Sequence, residues 1–432
     1  MRIVLVGLMV LATGLVTAAP PPARALTQAA AAPANVTVRT PGAISGPTTT
    51  FSEIETHADC APGELISAGG ITQTIGTGMV SNGNHVNGIE PSADGITEFT
   101  GTPGVVATDV THWLGFGGTG GAAQAEFSST PFALCLASGV IPHTQVIMNK
   151  VTGPVTASLP LVVVASCPAN TVLLGGGART IPASVGSLKP IASYPTFNNP
   201  GHDFGKKAAA DGETNPDSWA AVGFNGGGGD TSNTTFAYAI CSGTGVSGFT
   251  STVRYREVSG PTLATTGQIA TVGCNAGDGT LISGGAGISG GNITTTDYTI
   301  PGSQGDHLNG SFPSDPAGTP VSDGTTTAAS WTALTHTGGV NSPNTFSHVW
   351  ALCATTPAPP STLAGLTDPD LHPLMDTLSN TIRDGTGNKI IKLDPPCAAT
   401  GPYQGLSNID KLSLSAQLND GCLQFITTYT AP

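Results

Sequence analysis

Apolar residues fall in short runs along this chain, and the runs repeat. Leu159 to Ala165 leads into Cys167, a turn at Pro168 to Asn170, a second run from Thr171 to Leu174, and then Gly175 to Gly177. The same order stands once earlier in the chain and once later, at equal offsets. Val-Thr-Gly-Pro at 151–154 matches Ile-Ser-Gly-Pro at 44–47 and Val-Ser-Gly-Pro at 258–261. Each proline is followed at one constant spacing by a cysteine: Pro47 by Cys60, Pro154 by Cys167 and Pro261 by Cys274. A fixed period of this kind marks an internal repeat, here in three copies.

Within each copy the pattern reads as strands. Val36 with Val38, Val146 with Met148, and Val253 with Tyr255 alternate with polar residues, as half-buried strands do. The Gly-Pro pair closes that strand, since proline has no N–H for a ladder. A second strand leads to the first cysteine, and a third carries Leu65-Ile66, Leu173-Leu174 or Leu281-Ile282. The glycines that follow (Gly69-Gly70, Gly175 to Gly177, Gly284-Gly285) suit a bulge or a close approach of two backbones. Trp113, Trp219 and Trp331 precede the closing cysteines Cys135, Cys241 and Cys353 at one constant spacing, with glycines (Gly120-Gly121, Gly226-Gly227, Gly338-Gly339) between. The closing strands read Phe-Ala-Leu-Cys135, Tyr-Ala-Ile-Cys241 and Trp-Ala-Leu-Cys353. This spacing predicts a hairpin of Trp strand, glycine turn and Cys strand, with the tryptophans in the structural core.

The resulting expectation is an all-β chain: three tandem disulfide-closed β-sandwich-like repeats of equal period plus a small α+β C-terminal tail. The divisions are 1–25 signal peptide, 26–35 disordered lead, 36–141, 142–248 and 249–355 for the repeats, 356–366 a Pro-rich linker, and 367–432 the tail. In the tail, Leu371, Leu374, Met375, Leu378 and Ile382 have helical spacing behind Asp370. Leu412 to Leu418 alternate before Asn-Asp-Gly and a last strand, which predicts a hairpin. The pattern leaves open whether the repeats are separate domains or pack with pseudo-threefold symmetry.

Composition adds the compartment. Arg2, the apolar run Ile3 to Ala18 and Ala23-Arg24-Ala25 have the form of a secretory signal, and no later run approaches the roughly 20 apolar residues of a membrane helix. Removing Arg2 and Arg24 takes the net charge from −13 to −15. The remaining basic residues are scattered, so no footprint for nucleic acid is visible. Eight cysteines in an exported chain imply a disulfide framework. One early and one late cysteine per copy gives Cys60–Cys135, Cys167–Cys241 and Cys274–Cys353, leaving Cys397–Cys422.

Chemistry is thin by comparison. Gly287-Ile-Ser-Gly-Gly291 matches the nucleophile elbow, but the strand-to-helix context that an elbow needs is missing. Glu53, Glu55, Glu64, Glu90, Glu98 and Glu126 lie in copy one without counterparts in the others. No metal motif or cofactor fingerprint occurs. The variable segments 71–108, 178–217 and 286–329 are the expected seat of function, since scaffolds place functional residues on loops. There His85 with Asn87 and His307 with Asn309 agree between copies one and three, and these four are the candidate ligand contacts. Copy two departs from them, with Lys189 at the matching place.

The combination Cys-Pro-Ala-Asn-x-x-x-Leu-Gly-Gly-Gly-Ala (167–178), Ser193-Tyr194-Pro195, Trp219 and Tyr238-Ala-Ile-Cys241 resembles a module of secreted proteins from actinobacteria and other bacteria. Copies one and three depart from it at Pro168 and at Tyr194, where they carry Glu90 and Phe312. The resemblance spans about 36–355 and implies a secreted bacterial origin, with no activity attached. The reading reached is a secreted, non-enzymatic binding or adhesion protein at or outside the cell envelope, acting on a wall or extracellular glycan or a protein partner. A structural subunit of an extracellular or cell-wall assembly is the alternative, and a secreted hydrolase the weaker one.

Overall fold

The computed structural model describes residues 32–33, 36–74, 83–121, 126–182, 187–227, 231–246, 248–356, 412–419 and 422–429. The expected signal segment, the expected Pro-rich linker and tail helix, and Cys397 lie outside the described residues. Copy one supplies β2 (Val36–Arg39), β3 (Ile44–Ser45), β4 (Glu53–Asp59), β5 (Glu64–Thr74), β6 (Asn84–Ser92), β7 (Gly104–Thr108), β8 (His112–Thr119) and β9 (Ser128–Ala137), preceded by the two-residue β1 (Ala32–Pro33). Copy two supplies β10 (Thr144–Thr152), β11 (Leu161–Ser166), β12 (Leu173–Ile181), β13 (Leu188–Thr196), β14 (Ser218–Asn225) and β15 (Thr234–Ser242). Copy three supplies β16 (Thr250–Ser259), β17 (Gly267–Gly273), β18 (Thr280–Ser289), β19 (His307–Ser314), β20 (Ser330–His336) and β21 (Phe346–Thr356). In the tail, β22 (Leu412–Asn419) pairs with β23 (Cys422–Tyr429) as an antiparallel hairpin.

The chain is nearly all β and antiparallel, but none of the three large sheets belongs to one copy. Sheet I runs β4-β8-β6-β12-β15-β10-β7, so it mixes strands of copy one and copy two. Sheet II joins β11-β14-β13 of copy two to β18 and β21 of copy three, with β16 and β1 also on β21. Sheet III joins β17-β20-β19 of copy three to β5-β9-β2 of copy one. The three copies therefore close into a ring of three shared sheets.

The ring explains the double glycine. A Cβ on Gly69, Gly176 or Gly284 would overlap the ring of Trp113, Trp219 or Trp331 in the same copy. A Cβ on Gly70, Gly177 or Gly285 would overlap the carbonyl of Ser311, Ile89 or Ser193 in a neighbouring copy. One glycine seats the tryptophan and the next lets two copies pair. Each junction ladder is short, at β6–β12, β13–β18 and β19–β5. Pro91, Pro195 and Pro313, each opposite its tryptophan, stand just past that ladder and cannot donate to it.

The expected hairpin does not form. β8 belongs to sheet I and β9 to sheet III, and β14/β15 and β20/β21 divide in the same way. The glycine turn rounds a corner between sheets, because the Trp face packs inward against the glycine of the adjacent sheet. Disulfides span the same corners: Cys60–Cys135 joins sheets I and III, Cys167–Cys241 joins II and I, and Cys274–Cys353 joins III and II. Closing loops of this length constrains the unfolded chain by roughly 4–5 kcal/mol each in the chain-entropy model.

Long segments strap the outside. β7 of copy one pairs with β10. Residues 212–215 bond to Val253 and Ser251 on β16, and residues 324–325 bond to Val38 on β2. Each copy thus covers the outer edge of the next copy's first strand, and a paired edge is closed to other chains. The 93–103 segment also covers the outer face of sheet I, where Tyr238 Oη donates to the Phe99 carbonyl at 3.1 Å and Lys150 Nζ to the Thr100 carbonyl at 2.7 Å.

Candidate functional site

The four expected ligand contacts are not on loops. His85 and Asn87 lie on β6, His307 and Asn309 on β19, and all four are buried at 2–4% exposure. The segments that vary most between copies contain junction strands, so variability of sequence here does not mark surface. The four come together with Lys189 of β13: the His85 and His307 rings lie 6.2 Å apart, and His307 lies 5.4 Å from His336. Asn309 Nδ2 donates to the Asn84 carbonyl at 2.6 Å, tying copy three to copy one.

Electrostatics in this cluster are set by burial. His85 Nδ1 faces the Gly83 carbonyl at 3.3 Å and His307 Nδ1 the Gly305 carbonyl at 2.7 Å. A carbonyl only accepts, so both rings carry the proton on Nδ1. Burial, and then the Lys189 charge, pushes His85 down to about 3 and His307 well below its ordinary range. Burial also lowers Lys189 to about 8, with Asp306 opposing, and raises Asp306 to about 6. The arrangement is one ammonium among neutral imidazoles, closed to a macromolecular ligand.

A second cluster is built from carboxylates that have no counterparts in the other copies. Arg179 of β12 holds Glu53 through Nη1 at 2.6 Å and Nη2 at 2.9 Å, and Glu98 through Nε at 2.8 Å, while its guanidinium lies 3.8 Å over the Phe116 ring. Asn87 Nδ2 adds a 2.7 Å bond to Glu53. Glu90 is fully buried beside them, with the Tyr238 hydroxyl as its polar neighbour. Burial, followed by the Glu98 charge, pushes its carboxyl up to about 8. Glu55 is also raised, by burial and then by Glu98. Glu53, Glu55, Glu90 and Glu98 of copy one thus meet on sheet I around one cation from copy two.

The elbow-like serine finds a histidine. Ser289 Oγ lies 2.7 Å from His348 Nε2, and His348 Nδ1 lies 2.8 Å from Tyr255 Oη and 3.6 Å from Glu257. The protons run the wrong way for a nucleophile. Ser289 Oγ donates to the Gly291 carbonyl at 2.6 Å, so His348 Nε2–H donates to the serine, and the Tyr255 hydroxyl lies between His348 Nδ1 and Glu257, 2.8 and 3.2 Å away. A general base must instead accept the hydroxyl proton. Both residues are fully buried, and burial lowers His348 to about 3. This is a core hydrogen-bond network.

The tryptophans are likewise interior, at 0% exposure. An accessible concavity occurs at the copy-two corner, a cleft of about 460 Å³ between β10 and β11. Met148 and Val164 give it apolar wall, and Asn149, Ser166 and Asn198 give it polar groups. No protein-family model matches this chain, and no curated protein matches it either.

Proposed function

We propose that the chain is an exported binding or adhesion protein, working at or outside the cell envelope on a wall or extracellular glycan. The observation that carries this reading is the placement of the three disulfides, one at each corner between sheets. Such bonds belong to an oxidising, extracytoplasmic environment, and no helix among the described residues is long and apolar enough to cross a membrane. A stapled ring presents its surface segments in fixed positions, which lowers the ordering cost of binding. The β10/β11 cleft, with mixed apolar and amide lining, has the character of a small-ligand or sugar subsite. The test is retention of the mature protein on insoluble cell-wall polymer. Retention that weakens in Asn198→Ala supports the reading. Recovery wholly in the unbound fraction overturns it.

A further inference from the structure

Of the six outer strands that the copies contribute, β4, β10, β11, β16, β17 and β2, five are strapped or carry a side-chain bond on an outward carbonyl, and in sheet I the short strap β7 becomes the terminal strand. Three are closed by the straps on β10, β16 and β2. On β11, Asn149 Nδ2 donates to the outward Val164 carbonyl at 2.8 Å. On β17, Arg256 Nη1 donates to the outward Thr271 carbonyl at 3.2 Å. Asn149 and Arg256 occupy equivalent places one repeat apart, as do Val164 and Thr271. In copy one the equivalent of Asn149 is Gly42, which has no side chain and falls in the break between β2 and β3. Among the described residues the β4 edge therefore has no corresponding side-chain cap.

Which groups face out on β4 follows from its ladder. Cys60 N–H donates to the Thr111 carbonyl at 2.8 Å, and Thr119 N–H to the Ser52 carbonyl at 2.9 Å. Even-numbered residues thus point their backbone groups at β8, and Glu53, Glu55, His57 and Asp59 point theirs outward. Among the described residues nothing bonds to these outward groups. Glu55, His57 and Asp59 are also exposed as side chains, whereas Thr56 and Ala58 are buried. The edge presents outward amides and carbonyls together with two exposed carboxylates, Glu55 and Asp59, the latter also within 2.7 Å of His112 Nδ1.

We propose that the β4 edge docks an extended, basic polypeptide segment as an additional strand of sheet I. Backbone pairing supplies affinity in this mode, and alternate side chains supply choice. Lysine or arginine at every second position of the incoming strand would lie beside Glu55 and Asp59, cross-strand pairs that are favourable. A second copy of this chain is the wrong occupant, since two β4 edges would set glutamate against glutamate. Glu55 is raised first by burial and then by Glu98, with Arg179 opposing, and among the described residues it has no ion-pair partner of its own, so a cation beside it would meet an unpaired carboxylate.

The experiment is an anisotropy titration of the mature protein with a labelled peptide, Lys-Thr-Lys-Val-Lys-Thr-Lys. The expected result is salt-sensitive binding, with no binding of the glutamate counterpart. His57→Pro removes one outward N–H and leaves the β8 ladder intact, because edge positions tolerate proline; it should weaken binding by about tenfold or more. The same peptide N-methylated on alternate amides tests backbone pairing on the unaltered protein and should also fail. Binding that survives both changes would show charge attraction alone and overturn the proposal, as would no binding of the basic peptide. Neither result bears on wall-polymer retention, which involves a different surface.

Discussion

The Trp219 indole donates to Ser193 Oγ at 2.8 Å, and Trp331 does the same to Ser311 at 2.9 Å. Trp113 has Ile89 at that position, and its Nε1 is buried with no partner among the described residues. A buried donor left unpaired costs about 1–3 kcal/mol. Ser193→Ala should therefore destabilise by about that amount in denaturant titration. Trp113→Phe should cost less than Trp219→Phe, because it removes an orphan donor instead of stranding a serine. Trp219→Ala, which empties the corner, should cost about 3–5 kcal/mol.

Glu90 occupies the junction position where the other copies carry Tyr194 and Phe312. Those two stack near Trp350, at 5.4 Å, and Phe132, at 6.1 Å. The Glu90 carboxyl is raised to about 8 from 4.5. A raised folded-state pKa gives a contribution that is full below the unfolded value and is lost as pH rises to the folded one. Melting temperature should fall between about pH 4.5 and 8 through this residue. Glu90→Gln should flatten that slope, with a gain on the order of a few kcal/mol at the alkaline end. A parallel shift of variant and parent at all pH values would place the proton elsewhere.

The acid side has the opposite sign. His85 and His348 are lowered to about 3 from 6.5, so their contribution is present above the ordinary histidine value and lost as pH falls through the folded one. His85→Asn and His348→Asn should each make the acid limb of the stability profile shallower. Replacing His85, Asn87, His307 and Asn309 together by alanine should sharply lower the melting temperature. Four buried polar side chains at the junctions are then missing.

Much of this was legible in the chain. Strands, repeat period and the spacing of Cys60, Cys167 and Cys274 follow from local pattern, since alternation and glycine positions report backbone conformation directly. What the pattern could not carry was the partner of each strand. Gly69 and Gly70 show that two backbones approach, but the carbonyl that approaches Gly70 belongs to Ser311, and no local signal reaches that far. The same limit misplaced His85 and His307: polar residues in a segment of varying length look like loop until the neighbouring copy is seen to bury them. The Arg179 cluster was hidden for a related reason, because its carboxylates and its cation sit in different copies. A charge map of strand positions in a ring-closed arrangement would have brought them together.

Shared sheets make a further demand on the unfolding reaction. Independent repeats would melt as separate units, whereas here two of the three large sheets are broken if one copy unfolds. Calorimetry should show one cooperative transition for the ring, with the calorimetric enthalpy matching the van't Hoff value. Gly177→Ala probes the coupling at a single contact, since its Cβ would overlap the Ile89 carbonyl of copy one. Overpacking of this kind typically costs about 1–3 kcal/mol and sometimes more, and backbone on both sides leaves little room to relax. The whole transition should shift down as one peak. A variant that loses one third of the enthalpy at low temperature and keeps the rest would mean that the copies fold separately, and the ring would not be the cooperative unit.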